Sequence, residues 1–298
     1  MTNEILDIGF IWELLDPRSI VYLTVVLLVF YLAKKTFDIL APYDLNHQLT
    51  VADNKAVALT FAGYLFSVGV IVLSVLKSEE HKGGAGSVAV AYLTDLGVTV
   101  AWCLFGIVLL HLARLVNDKL IFRKFRNLKE LLEDRNLGTG AVECGSYLGS
   151  GLIINAALSG ESTSVADAIL STCLFFVVGQ VVFILFGILY QMITRFDVHE
   201  QIEKDNTAAG VSVAMNLIAI GVLLSGFIRQ SDSLPALGVW FVISSLLLLT
   251  SRYLVDKFML PGQLLDEEVE NDKNWGAALV EGASAIAIAF IVNACFLA

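Results

Sequence analysis

The sequence predicts an all-α, polytopic membrane protein whose eight transmembrane helices form two four-helix repeats of parallel orientation. Hydrophobic residues make up 57% of the 298 positions and charged residues only 16%, whereas soluble domains are nearer half apolar and a quarter charged. The apolar residues form runs of about twenty, the length that a helix needs to cross roughly 30 Å of hydrocarbon. Only four prolines interrupt the chain, which favours helices over the alternating strands of a membrane barrel.

Polar connections separate the apolar runs. The predicted spans cover approximately residues 20–40, 54–76, 88–115, 137–159, 166–194, 206–228, 235–255 and 275–298. Of the 19 Lys and Arg residues, 15 lie on the side that contains the connections after the odd-numbered spans, which leaves four on the other side: Arg18, Lys77, Lys82 and Arg229. Because basic residues concentrate in cytoplasmic loops, this bias predicts that both termini lie on the non-cytoplasmic side.

The second half of the sequence resembles the first at two offsets. Segment 114–119 reads R-L-V-N-D-K and segment 252–257 reads R-Y-L-V-D-K, which are 138 residues apart. Upstream of these segments the matching offset is 152 residues, because a long connection in the first half has no equivalent of the same length in the second. We therefore predict a first four-helix repeat at 1–160 and a second at 161–298. An even number of helices in each gives both repeats the same orientation.

A shorter period lies within each predicted repeat. Each even-numbered helix opens with Asn-x-small-x-small, at Asn54, Asn136, Asn206 and Asn274. Asparagine is a favoured N-cap because its side-chain oxygen accepts a hydrogen bond from a free backbone N–H of the first turn. The small residues that follow let a neighbouring helix approach closely. These four asparagines are therefore predicted to cap helices in four copies of a helical hairpin.

The clearest copies of this motif read D-N-K-A-V-A-L-T-F-A-G-Y-L at 53–65 and D-N-T-A at 205–208. In these residues the chain resembles the YjfL-like bacterial membrane family (domain of unknown function 350), and four copies of the two-helix unit extend the resemblance over nearly the whole chain. The resemblance implies a multi-pass protein of the bacterial inner (cytoplasmic) membrane. It implies no specific activity, since the family is known mainly as uncharacterised, with a link to membrane-stress gene neighbourhoods.

Two acidic residues are the strongest indication of a function. Glu143 and Glu281 each lie seven positions after the asparagine that opens their helix, about 10 Å into the membrane, where ionisable groups usually face a bundle interior or an aqueous cavity. Ser146 and Ser284 follow three residues later and are expected on the same helix faces. These four residues are candidates for ion or proton binding, and if the axis between the halves brings the two faces together, the carboxylates are expected to meet near the centre. The structural alternative is two neutral glutamic acids that hydrogen-bond across helices.

Two predicted cytoplasmic segments carry opposite charges. Residues 117–135 are predicted to form a basic amphipathic helix whose cations contact anionic lipid headgroups: Lys119, Arg123, Lys124, Arg126 and Lys129. The corresponding segment 256–273 is acidic. This contrast is consistent with a docking surface for a cytoplasmic protein. It is equally consistent with basic residues that only set the orientation of the helices in the membrane, next to a solvated acidic loop.

Composition and motifs argue against several classes of function. The net charge of −10 argues against a nucleic-acid partner, because phosphate binding needs a basic surface. The four cysteines lie far apart within apolar runs, and the sequence has no catalytic, metal-binding or phosphate-binding motif. We therefore expect no enzyme activity, no metal and no cofactor.

The remaining hypotheses differ in what the buried acids do. The first is a channel or transporter for a small cation or proton that uses Glu143 and Glu281. The second is a non-catalytic membrane scaffold or accessory subunit of a bacterial envelope-stress system. An intramembrane enzyme would need polar groups from several helices to converge on one pocket. The expected partner is the lipid bilayer, with anionic lipids, a cytoplasmic protein and further copies of the chain as additional candidates.

Overall fold

The computed structural model describes residues 17–78, 88–120, 127–160, 162–260 and 262–297, and within them the chain forms helices and turns and no strand. The all-α prediction is therefore confirmed for these residues. In chain order the helices are α1 Pro17–Leu40, α2 Leu45–Thr50, α3 Lys55–Ser78, α4 Val88–Leu120, α5 Asn127–Leu132, α6 Leu137–Leu158, α7 Val165–Ile193, α8 Val198–Glu203, α9 Thr207–Gln230, α10 Leu234–Leu254, α11 Leu265–Glu270 and α12 Trp275–Phe296. A π-helical turn, Val255–Met259, continues α10.

Seven of the described helices are long and apolar enough to cross a membrane: α1, α3, α4, α7, α9, α10 and α12. Their bounds agree with seven of the eight predicted spans to within a few residues. The helix at the position of the fourth predicted span, α6, has 22 residues and is not among the seven. Its many glycines and serines make it less apolar, and most of its side chains are buried between other helices.

The long helices form two layers. The central layer contains α3, α6, α9 and α12 in that order, and each packs against the next along much of its length. The second layer contains α1, α4, α7 and α10, which pack on the central layer and on their neighbours. The short helices α2, α5, α8 and α11 pack at the end where the central helices begin. This arrangement buries α6 and α9 most deeply.

Small residues allow the central helices to touch through their backbones. A Cβ atom built on Gly140 of α6 would lie 2.6 Å from the carbonyl oxygen of Ala56 in α3. A Cβ atom on Gly210 of α9 would overlap the backbone of Gly138 in α6. Both separations are far inside van der Waals contact, so a larger side chain would push the helices apart. Close approach at small residues is the usual means by which helices associate in lipid.

The four asparagines share one local structure. The side-chain oxygen of each accepts a hydrogen bond from a backbone N–H of the first helical turn: Asn54 from Ala56 and Val57, Asn136 from Thr139, Asn206 from Ala209, and Asn274 from Ala277. The residue before each asparagine has a left-handed φ: 48° at Asp53, 52° at Arg135, 56° at Asp205 and 49° at Lys273. Non-glycine residues enter this region at a cost, so the cap hydrogen bonds help to hold each turn.

Three of these caps also connect neighbouring units. Each side-chain amide donates to a backbone carbonyl of the short helix that precedes the next central helix: Asn54 to Leu131 at 2.7 Å, Asn136 to Ile202 at 2.5 Å, and Asn206 to Val269 at 2.8 Å. One asparagine side chain therefore accepts a hydrogen bond from the first turn of its own helix and donates another to the short helix that precedes the next central helix. The starts of the central helices are held in register by this chain of contacts.

The basic segment differs from the prediction in its first residues. Residues 117–120 form the last turn of the membrane helix α4 and not the start of a separate amphipathic helix, because α4 runs without interruption to Leu120. Lys119 is exposed in that turn, and Lys129 is exposed on α5, where it pairs with Asp134 at 3.0 Å. The other predicted headgroup contacts lie outside the described residues: Arg123, Lys124 and Arg126.

The close contact between α6 and α9 predicts a large effect from one methyl group. Gly210→Ala is expected to lower the thermal stability of the detergent-solubilised protein, since overpacking typically costs about 1–3 kcal/mol. The matched control is Gly238→Ala in α10, where no atom lies within 4 Å of the added carbon and alanine favours the helix by about 0.5–1 kcal/mol. Equal melting temperatures for the two variants would contradict the described packing.

Candidate functional site

Both glutamates singled out in the sequence are buried within the protein. Glu143 is 3% exposed and Glu281 is 2% exposed, and each lies about 10 Å along its helix from the cap. Each carboxylate faces an arginine of the second layer, Arg114 on α4 or Arg252 on α10. The two arginines are 138 residues apart, as are the two glutamates. Each half of the chain therefore buries one Glu–Arg pair.

In the C-terminal half, Arg252 bridges two carboxylates. Its Nη1 atom donates to Glu281 Oε1 at 2.8 Å and to the Tyr190 hydroxyl at 2.7 Å, while Nη2 donates to Asp266 Oδ1 at 2.5 Å. The exposed side chain of Arg195 lies 3.8 Å from Asp266. Buried charges are tolerated when they are paired and hydrogen-bonded. Both conditions hold at Arg252.

The Glu281 carboxylate is bonded through both oxygens. The Ser212 hydroxyl donates to Oε2, and the Asn216 side-chain amide donates to Oε1 at 3.2 Å. Ser212 also shares a hydrogen bond of 2.7 Å with the Tyr190 hydroxyl. Glu281 therefore connects α12 to α9 and α10. Side chains in direct contact surround its carboxylate.

The corresponding contacts of the N-terminal half are looser. Arg114 Nη2 lies 4.0 Å from Glu143 Oε2, and Arg114 Nε lies 3.5 Å from Asp118. The Arg114 guanidinium also lies 5.9 Å from the centroid of the Tyr147 ring. The Thr60 hydroxyl is beside the Glu143 carboxylate, but neither carboxylate oxygen makes a hydrogen bond of standard geometry within the described residues. Glu143 is thus a buried acid with unused acceptor capacity.

One difference between the halves explains much of this contrast. At an offset of 152 residues, Thr60 corresponds to Ser212 and Tyr64 corresponds to Asn216. Tyr64 has no amide to offer, and its hydroxyl donates instead to a backbone carbonyl of α1 at 2.9 Å. Glu143 therefore lacks the amide donor that its counterpart receives from the adjacent central helix.

A small crevice opens beside Glu143 and has room for about one water molecule. Its lining consists of Arg114, Asp118, Glu143, Ser146, Tyr147 and Ser150. Asn117 donates to the hydroxyls of Ser146 at 2.8 Å and Ser150 at 3.2 Å. Further buried atoms of this region have no hydrogen-bond partner within the described residues: Asn117 Oδ1, Tyr147 OH and Gln180 Nε2.

The buried polar atoms that lack a hydrogen-bond partner within the described residues indicate what the crevice can hold. Buried polar groups are nearly always satisfied by protein or by ordered water, so each exception calls for a water or an ion. The described residues contain no group of three or more His, Cys, Asp or Glu side chains arranged to hold a metal ion. The crevice beside Glu143 has room for a water molecule that would bond to such polar atoms.

The two glutamates occupy separate sites. The expectation that they meet where the halves join is wrong, because α9 lies between the helices that carry them, α6 and α12. Ser146 lines the crevice of Glu143 as expected for its helix face. Ser284 instead donates to the backbone carbonyl of Val280 in its own helix at 2.8 Å and is not brought to Glu281.

Sequence reasoning missed the arginines of both sites. It assigned Arg114 and Arg252 to the cytoplasmic charge bias, although both lie in the repeated segments at the offset that also relates the glutamates. That shared offset was the signal that could have found them. Asp266 had no such signal, since the offset of 138 places Leu128 at the corresponding position.

Removal of the buried cation is expected to destabilise the C-terminal site. Arg252→Gln leaves Glu281 without its charge partner, and loss of one partner of a buried pair typically costs about 3–5 kcal/mol. Glu281→Gln in the same chain should restore part of this stability, because it removes the unpaired charge. A double-mutant cycle of thermal unfolding in detergent measures the coupling, and strictly additive effects would contradict it.

Comparison with known proteins gives the relationships of the chain. The model of the family described as Domain of Unknown Function (DUF350) matches residues 9–158 and 164–296. The chain is similar to a UPF0719 transmembrane protein of Aquifex aeolicus (strain VF5), with 24% identity over 270 residues that cover 88% of this chain and 94% of that protein. It is also similar to the UPF0719 transmembrane protein YshE of Bacillus subtilis (strain 168), with 27% identity over 111 residues that cover 37% of this chain and 81% of that protein.

No solved structure matches the chain with significance. The two stretches matched by the family model together span most of the sequence, and the similar proteins are named as transmembrane proteins. Several helices of suitable length and composition agree with those names. The chain is therefore a membrane protein that belongs to the family described as Domain of Unknown Function (DUF350).

Proposed function

We propose that this chain is a channel or transporter for a small cation or proton and that Glu143 is its binding or protonation site. The observation that carries the proposal is the water-sized crevice beside a buried carboxylate whose two oxygens make no hydrogen bond of standard geometry within the described residues. An ionisable side chain that faces a polar cavity within a membrane is typical of ion and proton pathways. Asp118 and Ser146 supply further oxygen atoms around the same crevice.

Arg114 controls how tightly the site holds its ligand in this proposal. Its guanidinium lies 4.0 Å from Glu143, too far for a direct hydrogen bond but close enough to reduce the attraction of the carboxylate for a second cation. Transport requires binding that is favourable enough for an ion to enter and weak enough for it to leave. The loose pair in the N-terminal half meets that requirement better than the closed pair of Glu281.

Glu281 has a structural role in this proposal. Both of its oxygens are bonded to side chains of α9 and α10, so a transported ion would have to displace strong contacts. A charge-assisted hydrogen bond of 2.8 Å between Arg252 and Glu281 belongs to the stronger class of protein hydrogen bonds. The C-terminal pair thus holds three helices together, and the N-terminal pair provides the site.

We further propose that α6 also crosses the membrane, which gives eight spans in two parallel four-helix repeats built from four hairpins. A helix of 22 residues is about 33 Å long, enough for a hydrocarbon core of roughly 30 Å. It packs between α3 and α9, so its small polar residues need not face lipid. The bias of Lys and Arg supports termini on the non-cytoplasmic side of a bacterial inner membrane.

A non-catalytic scaffold or accessory subunit of an envelope-stress system is the alternative function, and the packing of the central layer favours it. A Cβ atom on Gly221 of α9 would lie 2.6 Å from the Cα atom of Gly149 in α6, so these helices meet as a solid seam. The exposed carboxylates of Glu267 in α11 and of Asp272 just after it then serve as the surface for a cytoplasmic protein. Both proposed functions are non-enzymatic.

Glu143→Gln is expected to reduce proton or cation flux in proteoliposomes to the level of protein-free liposomes, because an amide carries no negative charge and cannot bind and release a proton as a carboxylate does. The fold should persist, since Arg114 keeps Asp118 as a charge partner at 3.5 Å and neither Glu143 carboxylate oxygen makes a hydrogen bond of standard geometry within the described residues. Ser284→Ala is the matched control, because Ser284 corresponds to Ser146 in sequence but bonds only within its own helix. It should retain wild-type flux.

Two results would overturn transport at Glu143. One is wild-type flux of protons, sodium and potassium no greater than that of empty liposomes, and the other is full flux in the Glu143→Gln variant. The scaffold hypothesis makes its own prediction in the first case. A protein that co-purifies from native membranes should then be lost when residues 263–273 are replaced by a neutral linker.

A further inference from the structure

Two crevices open at the ends of the central helices that lie opposite the cap asparagines. The first, between α3, α6 and α9, has a volume of about 470 Å³, and its polar lining consists of Ser74, Lys77, Asn155, Ser159 and Arg229. The second, between α6, α9 and α12, has a volume of about 260 Å³ and includes Ser225, Arg229, Gln230 and Asn293. Arg229 stands between them and lines both.

The two crevices are built from corresponding residues. Lys77 and Arg229 are 152 residues apart, and Asn155 and Asn293 are 138 residues apart, which are the two offsets that relate the halves of the sequence. In each crevice the asparagine amide donates to a backbone carbonyl of the preceding central helix, from Asn155 to α3 and from Asn293 to α9. The same constellation of a cation beside a bonded asparagine therefore occurs twice.

The first crevice brings two cations together. Only four Lys and Arg residues are assigned to this side of the membrane by the sequence, and Lys77 and Arg229 both line this one cavity. Neither forms an ion pair with a carboxylate within the described part of the chain, although Arg229 donates to the side-chain oxygen of Asn155. Two like charges beside one cavity repel each other, and an anion between them would remove that cost.

The helix dipole explains only part of this arrangement. Lys77 and Arg229 lie in the last turns of α3 and α9, where a cation is favoured by the partial negative charge of the helix end. That interaction does not require both side chains to face the same cavity. The Ser74 and Ser159 hydroxyls beside them bond to each other at 2.7 Å and to the Asn155 carbonyl, so they fix the junction of α3 and α6 at the rim of the crevice.

The wall of the first crevice becomes apolar toward the membrane centre. Val70 and Leu73 line it, and Leu73 is 55% exposed on the surface of α3. Val70 lies seven residues before Lys77, about 10 Å deeper along the helix. A cationic and hydroxyl-rich rim above an apolar wall matches the phosphate and the acyl chain of one glycerophospholipid.

We propose that the first crevice binds an anionic glycerophospholipid of the non-cytoplasmic leaflet, with the phosphate between Lys77 and Arg229 and an acyl chain along Val70 and Leu73. The second crevice, which has only the shared Arg229, is a weaker site for the same headgroup. This inference does not depend on the function of Glu143, which lies toward the opposite end of α6.

Native mass spectrometry of the full chain, titrated with phosphatidylglycerol in detergent, tests the proposal. The wild type is expected to retain phosphatidylglycerol more tightly than phosphatidylcholine with the same acyl chains. Lys77→Gln should weaken phosphatidylglycerol binding about fivefold, and Lys77→Gln with Arg229→Gln about twenty-five-fold, from the typical contribution of a basic residue near an anionic membrane surface. Arg229→Lys keeps the charge and should keep most of the binding.

Lys204→Gln is the matched control, because it removes one exposed positive charge that pairs with Glu200 at the other end of the molecule. Thermal unfolding of each variant separates loss of binding from loss of fold. Should the double variant unfold, Lys77→Gln alone decides, since Lys77 is exposed and forms no ion pair with a described residue.

Three outcomes would overturn the proposal. Equal phosphatidylglycerol binding by the wild type and Lys77→Gln would show that Lys77 does not bind the lipid. Equal binding of phosphatidylcholine and phosphatidylglycerol by the wild type would contradict the preference for an anionic lipid. Displacement of the lipid by millimolar inorganic phosphate would assign the crevice to a free anion and not to a lipid headgroup.

Discussion

The central helices approach one another so closely that glycine is required at the tightest contacts, as where Gly210 meets Gly138. Lipid provides no hydrophobic drive for helices to associate, so van der Waals contact between backbones contributes much of the association energy. This contact buries α6 and α9 between other helices. Polar residues on these helices can therefore lie within the membrane without facing lipid, and each glutamate meets an arginine of the second layer.

The two Glu–Arg pairs show how equivalent positions acquire different properties. Glu281 is held by Arg252, Ser212 and Asn216, and a fully bonded network of this kind makes one arrangement rigid. Glu143 retains a charge partner at 4.0 Å but lacks the amide donor, and within the described residues its oxygens make no hydrogen bond of standard geometry. A mechanism that uses both acids in the same way would need similar surroundings at both. The geometry favours one functional site and one structural contact.

The helix α6 contributes residues to both proposed binding sites. Glu143 lies near its first turns, beside the crevice that has room for about one water molecule, and Asn155 lies near its end, beside the larger cationic crevice. The lower hydropathy of α6 follows from the small and polar residues that line both sites. Burial between α3 and α9 allows this composition, since protein contacts replace the lipid contacts that an exposed span would need.

Sequence periodicity determined the helices, their approximate bounds and the asparagines at their starts, because length, hydropathy and capping are local properties. It also located Glu143 and Glu281. Membership of the family described as Domain of Unknown Function (DUF350), expected from the residues around Asn54, is confirmed by the family model. Only the tertiary structure decided which side chains meet. The order of the helices across the layers separates the two acids, pairs them with Arg114 and Arg252, and places Asp266 of the acidic segment beside Arg252. The helical period of the sequence carries no information about that order.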